Sequence, residues 1–165
     1  MGWVFGAISD RINIDISLKA LGFGKALSID NLAFICANGE QLPLETNSIN
    51  KILSFGSLEH FDNIDAGLQE IGRVLTEDGT AIMVVPNFYV STEQPQEHTA
   101  HYWGWKKIFE RNGFVVVHLD KDFGPGLFKN TNLRRALLRL SGKIMSFLPF
   151  MQYQLIMVLK LKPSC

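Results

Sequence analysis

The stretch Ile52-Leu53-Ser54-Phe55-Gly56-Ser57-Leu58-Glu59-His60-Phe61 runs from a short apolar segment into a glycine and then a Glu-His pair. Residues Lys51–Phe55 do not alternate apolar with polar side chains, which predicts a strand buried on both faces. Ligands of open α/β sheets collect where such strands end. Imidazoles titrate near neutral pH, so His60 is a candidate acid or base. A structural histidine bonded to a neighbouring loop is the alternative.

The sequence on both sides alternates short apolar runs with amphipathic segments, which is typical of an α/β fold with a largely parallel sheet. The 165 residues suit a single domain over 1–165. We predict strands at Ile12–Ile16, Leu32–Ala37, Lys51–Phe55, Thr80–Val85, Phe114–Leu119 and Tyr153–Leu161. Helical spacing and stop signals predict helices at Leu18–Leu27, Asn63–Leu75, Tyr102–Asn112 and Leu133–Phe147, with a turn at Thr76–Gly79.

Polar residues follow two other predicted strands. Asp15 ends the first strand, where a carboxylate can accept hydrogen bonds from ribose hydroxyls. An Asp at this position is equally often a turn former or a helix cap. Asn38 and Gly39 follow the second strand, where a side chain and a backbone N–H can face a purine edge. An ordinary polar turn is the alternative there.

Five stretches in register resemble the small-molecule, Rossmann-like type of S-adenosylmethionine-dependent methyltransferase (methyltransferase type 11). That family carries an "Asp-x-Ser" step, an "Asp-Ala-Glu-x-Leu-Pro-Phe" loop, a "Leu-Glu-His" stretch, "Arg-Val-Leu-x-Pro-Gly-Gly" and "Pro-Asn". In this chain they read Asp15-Ile16-Ser17, Asn38-Gly39-Glu40-Gln41-Leu42-Pro43-Leu44, Leu58-Glu59-His60, Arg73-Val74-Leu75-Thr76-Glu77-Asp78-Gly79 and Pro86-Asn87. Order and spacing agree from Ile12 to Asn87 and more loosely to Gly113-Phe114.

The resemblance implies a Rossmann-like sheet with helices on both faces, S-adenosylmethionine as cofactor, and roles for individual residues. Asp15 would bind the ribose hydroxyls with Ile16 against the adenine, Asn38 and Gly39 would face the adenine edge, and Phe55 and Gly56 would lie near the methionine part. Asn38 stands where the family usually has Asp, and an amide oxygen can still accept a hydrogen bond.

The family opens with a strand and a glycine-rich loop, and the resemblance implies that both are absent from this chain. Gly2 matches the last loop glycine, and Trp3–Ser9 match the helix that follows. The missing strand would lie in mid-sheet, which leaves two edges unpaired. A truncated reading frame, a strand from another chain and a closed-up sheet without donor binding stay open as explanations, and a strand-sharing homodimer would suit the edges.

Composition bounds the remaining expectations. Hydrophobic residues make up 47% of the chain and charged residues 19%, which predicts a packed core. We expect a cytoplasmic protein, because we find no secretory signal and no disulfide or zinc spacing. Cys36 lies in an apolar run, which indicates a buried thiol.

The C-terminal part of the chain is strongly basic. Residues 123–165 hold seven basic and no acidic residues in a chain of zero net charge. The amphipathic helix predicted at 133–147 packs on the sheet, or rests as a peripheral contact on anionic lipid. We do not expect a nucleic acid partner, since no basic-aromatic groove pattern accompanies the charge.

The expected activity is methyl transfer to an unidentified small-molecule, glycan or lipid-linked acceptor. His60 is the first candidate base and His101 the second. His98, His101, Tyr102 and Trp103 are expected in an acceptor-side lid rather than in a metal site. A non-catalytic, methyltransferase-like binding module is the alternative function, and an NAD-dependent dehydrogenase fits the motifs poorly.

Overall fold

The computed structural model describes residues 11–27, 31–87, 98–122 and 154–163. Along the chain these form β1 (Arg11–Asp15), α1 (Leu18–Ala26), β2 (Leu32–Cys36), β3 (Ile49–Phe55), a short 3₁₀ helix (Leu58–His60), α2 (Ile64–Val74), β4 (Leu75–Pro86), α3 (Tyr102–Arg111), β5 (Phe114–Asp122) and β6 (Gln154–Leu161). The predicted α/β class is confirmed. Gly2 and the predicted helix at 133–147 lie outside the described residues.

The strands form a parallel pair, β1-β2, and a four-stranded sheet of order β3-β4-β6-β5. Strands β3 and β4 run parallel, whereas β6 runs antiparallel to both β4 and β5. The prediction of a largely parallel sheet is therefore correct for β1 to β4 only. Neighbours that run in parallel need a long crossover, and α1 and α2 supply it after β1 and β3.

The helices begin and end where their local sequence favours it. The Ser17 hydroxyl accepts from the N–H of Ala20 at 3.2 Å at the start of α1, and the Asn63 side chain caps α2 in the same way. Past the end of α3, Gly113 has φ 84°, a left-handed conformation that glycine adopts without strain. The predicted stop at this glycine is confirmed.

The core lies between β4 and β6 of the four-stranded sheet and helices α2 and α3. Its fully buried members include Leu58, Leu68, Met83, Trp105, Phe109, Phe114, Leu155, Met157 and Leu159. Strand β4 is buried over most of its second half, while the apolar stripe of α2 packs against it. No helix within the described ranges is long and apolar enough to cross a membrane.

Three expectations from the sequence are wrong. Thr76–Gly79 form no separate turn, because β4 begins at Leu75. Leu75 is buried and pairs with Ile49, so the following residues bulge out before pairing resumes at Thr80.

The other two errors concern burial. Strand β3 is half-buried or exposed along its length instead of buried on both faces. Within the described ranges it pairs with β4 alone, so one strand edge lacks a neighbour to cover it. Cys36 is exposed at the end of β2, where its Sγ contacts the Ile16 carbonyl oxygen at 3.5 Å. An apolar run identifies a strand without fixing its position in the sheet.

Candidate functional site

The carboxyl ends of β1 and β2 bring Asp15 next to the segment that carries Asn38. Asp15 pairs with Cys36 in the parallel register, and the Ala37 N–H donates to the Asp15 carbonyl at 3.2 Å. The Asp15 Oδ1 accepts from the Ser17 N–H at 2.7 Å, which holds the carboxylate at the strand end. A carboxylate has room for further donors, so this turn and ligand binding are compatible here.

The exposed loop after β2 is a tight turn. Asn38 Oδ1 accepts from the Glu40 N–H at 2.9 Å, and its carbonyl accepts from the Gln41 N–H at 3.0 Å. The amide oxygen that the sequence suggested for purine recognition therefore already has a partner in the loop. Gly39 packs against Phe61 so closely that a Cβ at this position would overlap the ring. Only glycine fits here while Phe61 keeps its place.

The carboxyl end of β3 presents Phe55 and Gly56. Phe55 pairs with Val84 of β4 and is 44% exposed. Gly56 has φ 59°, and its N–H donates to the Val84 carbonyl at 3.1 Å. A bulky or β-branched side chain at residue 56 would be strained by that φ, whereas glycine lets the chain turn sharply into the 3₁₀ helix without strain.

Phe61 connects the two strand ends. Its ring lies between Gly39 and Gly67, since a Cβ at either glycine would overlap it. Beside it, Glu40 Oε1 accepts from the Asn63 N–H at 3.1 Å. The loop after β2 is thereby joined to the segment after β3. The structure thus brings Asn38 and Gly39 towards the chain that follows Phe55–Gly56, as the sequence motifs require.

The two candidate bases have different surroundings. His60 ends the 3₁₀ helix and is exposed. His101 is the N-cap of α3, and its Nδ1 accepts from the Gly104 N–H at 3.2 Å. One of its ring nitrogens therefore caps helix α3. Over the described ranges no cluster of three His, Cys, Asp or Glu side chains could hold a metal ion.

Of the four expected lid residues, His98 lines a cavity of about 520 Å³. The N–H of His98 donates to the Glu59 carbonyl at 2.9 Å, which holds this segment against the 3₁₀ helix. Trp103 is 65% exposed and meets Tyr102 edge to face. The cavity is lined by Asp62, Asn63, Ile64, Asp65, His98, Thr99, Ala100, Trp105, Ile108 and Arg111.

A charged pair, Asp65 and Arg111, lines part of this cavity. Asp65 accepts from Asn112 Nδ2 at 2.6 Å and from Arg111 Nη2 at 2.8 Å. The hydrogen bond from Asn112, followed by that from Arg111, lowers the pKa of Asp65 below its ordinary value. The carboxylate of Asp65 is thus ionised at neutral pH and held by two neighbours in the wall of the cavity.

The sequence motifs contain Glu59, Asn87 and Arg73 without assigning them a role, and sequence reasoning did not predict the ion pair of Glu70 with Arg73. Glu59 is 5% exposed and Asn87 is fully buried, close to the ends of β3 and β4. A polar residue among apolar ones at a strand end was the available signal. Glu70 and Arg73 lie three apart on α2, a spacing that places them side by side, and they bond to the loop after β2.

Both the sequence and the fold of this chain are similar to those of methyltransferases. Residues 3–83 match a family described as a methyltransferase domain. An uncharacterized protein of Methanocaldococcus jannaschii is 32% identical over 124 residues, which are 73% of this chain and 53% of that protein. The ubiquinone/menaquinone biosynthesis C-methyltransferase of Brucella canis is 37% identical over 71 residues, 40% of this chain and 26% of that enzyme.

Solved structures share the fold at low identity. A chain of the Haloferax volcanii complex with the Trm112 methyltransferase activator has a TM-score of 0.69, 18% identity and coverage of 96% of this chain and 74% of that one. An S-adenosylmethionine-dependent methyltransferase of Mesorhizobium loti has a TM-score of 0.65, 15% identity and coverage of 92% and 80%.

A third structure contains ligands. The 1,6-didemethyltoxoflavin-N1-methyltransferase of Burkholderia thailandensis, with 1,6-didemethyltoxoflavin and S-adenosylhomocysteine bound, has a TM-score of 0.64, 14% identity and coverage of 92% and 61%. The chain spans about half or less of the length of the curated relatives it matches. Residues 3–83 are thus similar to the methyltransferase domain family, and the chain has the Rossmann-like fold of the S-adenosylmethionine-dependent enzymes that its motifs resemble.

Proposed function

We propose that this chain transfers a methyl group from S-adenosylmethionine to a small-molecule, glycan or lipid-linked acceptor. The observation that supports it most is the position of three segments, each at or just after the carboxyl end of a strand that has a parallel partner. They are Asp15, Asn38–Gly39 and Phe55–Gly56, with Phe61 packed against the second of them. Binding at this edge is the general rule for open α/β sheets.

The residues at the edge suit the donor chemically. Ile16 is 72% exposed beside Asp15, which puts an apolar surface next to a carboxylate. A ribose offers hydroxyl donors to such a carboxylate, and a purine offers a flat face to the apolar side chain. At Gly56, φ 59° and the missing side chain allow a ligand to approach the backbone closely.

The bound donor supplies an electrophilic methyl group on a sulfonium. The acceptor's nucleophile attacks in line, and the sulfur keeps the bonding electron pair as S-adenosylhomocysteine leaves. The protein's main task is to align the acceptor with the methyl group, because orientation alone can contribute much of the rate. An acceptor that carries a proton at neutral pH also needs a base, and His60 is our first candidate.

Donor binding is the test of this function. Calorimetric titration of the purified chain with S-adenosylmethionine and S-adenosylhomocysteine is expected to give micromolar dissociation constants. Circular dichroism of the same sample establishes that it is folded. A folded chain that binds neither ligand would contradict the enzyme proposal and leave a non-catalytic, methyltransferase-like binding module as the function.

Replacing the candidate bases separates proton transfer from helix capping. His60→Ala is expected to lower kcat about tenfold. This loss is smaller than is usual for a general base, because His60 is exposed and water can replace it in part. His101→Ala is expected to lower the free energy of unfolding by about 1 kcal/mol, because the cap of α3 is lost. The rate of S-adenosylhomocysteine release with an acceptor that supports turnover measures kcat, and urea unfolding measures the change in the free energy of unfolding.

The matched control is His118→Ala, which removes another exposed histidine from strand β5. It should leave kcat unchanged. Rates equal to the parent's in both the His60→Ala and the His101→Ala protein would remove both histidines as bases and point to an acceptor that needs none.

A further inference from the structure

Glu70 and Arg73 form a two-pronged ion pair on the surface of α2. Arg73 Nε donates to Glu70 Oε1 at 2.7 Å, and Arg73 Nη2 donates to Oε2 at 2.8 Å. Their side chains are 20% and 34% exposed. The hydrogen bond from Arg73 lowers the pKa of Glu70, so both groups are charged at neutral pH. A pair this exposed contributes only about 0–1 kcal/mol to stability. Its stabilising effect therefore does not explain its two-pronged geometry.

Both side chains also bond to the backbone of the loop after β2. Glu70 Oε2 accepts from the Leu42 N–H at 2.8 Å, and Arg73 Nη2 donates to the Leu42 carbonyl at 3.0 Å. Arg73 Nη1 donates to the Leu44 carbonyl at 2.8 Å. The pair thus holds both polar backbone groups of Leu42. It fixes the path of the loop rather than any particular loop side chain.

The start of the same loop is attached to the other end of α2. Glu40 Oε1 accepts from the N–H of Asn63, the N-cap of that helix, and Gly39 rests on the ring of Phe61. Asn38 and Gly39 therefore belong to a segment that is fixed to one helix at two points. Loosening either point lets the turn at Asn38 move relative to the strand ends.

We infer that Glu70 and Arg73 are positioning residues for purine recognition, which holds if the proposed function is correct. They contact no ligand themselves. They keep Asn38 and the Gly39 backbone in the orientation that reads the purine edge, and so determine how well the site distinguishes adenine from another purine. A site that hydrogen-bonds its ligand discriminates only while those groups stay in place.

Purine selectivity is the quantity that tests this inference. Calorimetry gives the dissociation constants of S-adenosylhomocysteine and of S-inosylhomocysteine, which differs in the purine alone. The parent chain is expected to prefer the adenine compound at least about tenfold. Glu70→Gln and Arg73→Lys are each expected to reduce this preference to about threefold or less. Glutamine offers one acceptor oxygen where glutamate uses two, and lysine lacks the planar guanidinium with its paired N–H donors.

The matched control is Asp65→Asn, which weakens the other ion pair of α2, the one to Arg111. It lies on the same helix without touching the loop, and it should keep the parent's selectivity. Hydrogen exchange at the Leu42 amide gives an independent reading of the geometry. Exchange there should accelerate in Glu70→Gln and stay unchanged in Asp65→Asn.

Several outcomes would overturn the inference. If both variants bind S-adenosylhomocysteine with the parent's selectivity, the pair does not position the loop, and the proposed function is untouched. A lower thermal midpoint with unchanged selectivity would show a purely structural role. If the folded parent binds neither compound, the proposed function itself fails, and the inference falls with it.

Discussion

Alanine in place of Asp15 is expected to weaken S-adenosylhomocysteine binding about 100-fold, or about 3 kcal/mol. The carboxylate stands at the end of β1, fixed by the Ser17 N–H. Hydrogen bonds to a charged acceptor contribute about 1.5–3 kcal/mol each. A ribose offers two neighbouring hydroxyls, so loss of the carboxylate removes both interactions at once.

Two further variants distinguish the effect of the Asp15 charge from a general effect of removing a carboxylate. Asp15→Asn keeps an oxygen for the Ser17 N–H but removes the charge, so binding should weaken about tenfold, near 1.4 kcal/mol. Glu45→Ala removes an exposed carboxylate from the middle of the loop after β2 and should leave binding unchanged. Calorimetric titration at equal ionic strength measures all three dissociation constants.

Binding by Asp15→Ala equal to that of the parent would place the ribose elsewhere. Asp15 would then be a turn former alone, which is one of the alternative roles that the sequence left open. An equal loss in Glu45→Ala would instead indicate a general charge effect.

Hydrophobic spacing was sufficient to predict most of the fold. The stripe Ile64, Leu68 and Ile71 predicts α2, and all three residues are buried in the structure. Strand type and strand order are harder, since β6 looks like any apolar strand but lies antiparallel between β4 and β5. Its position depends on contacts between distant parts of the chain, which local periodicity does not encode.

The candidate site likewise has features that the sequence predicts and contacts that it does not. The positions of Asp15, Asn38 and Gly56 at strand ends were predictable, because each follows a short strand-like run in the sequence, whereas their roles in binding stay predictions. The contact of Phe61 with Gly39 and the bonds from Arg73 to Leu42 and Leu44 were not predicted. They join segments about 20 to 30 residues apart in sequence, and backbone acceptors leave no pattern in the side chains.

Trp105→Ala is expected to cost the most stability, about 4 kcal/mol of the free energy of unfolding. The Trp105 side chain is fully buried and stacks on Phe109 with ring centroids 5.9 Å apart. Its Nε1 donates to the Pro86 carbonyl at 2.9 Å in the interior. Alanine would leave a cavity and a buried carbonyl without its donor. Urea unfolding followed by far-ultraviolet circular dichroism measures the loss without relying on tryptophan fluorescence.

Trp105→Phe separates packing from the hydrogen bond. Phenylalanine fills much of the space but leaves the Pro86 carbonyl unsatisfied, so we expect a loss of about 2 kcal/mol. Trp103→Ala is the matched control, because that tryptophan lies on the same helix but is 65% exposed, and its loss should stay within about 0.5 kcal/mol. If Trp105→Phe were as stable as the parent, the bond to Pro86 would contribute nothing, and packing alone would hold α3 against the end of β4. A loss in Trp105→Phe equal to that in Trp105→Ala would assign the whole effect to the hydrogen bond at this strand end.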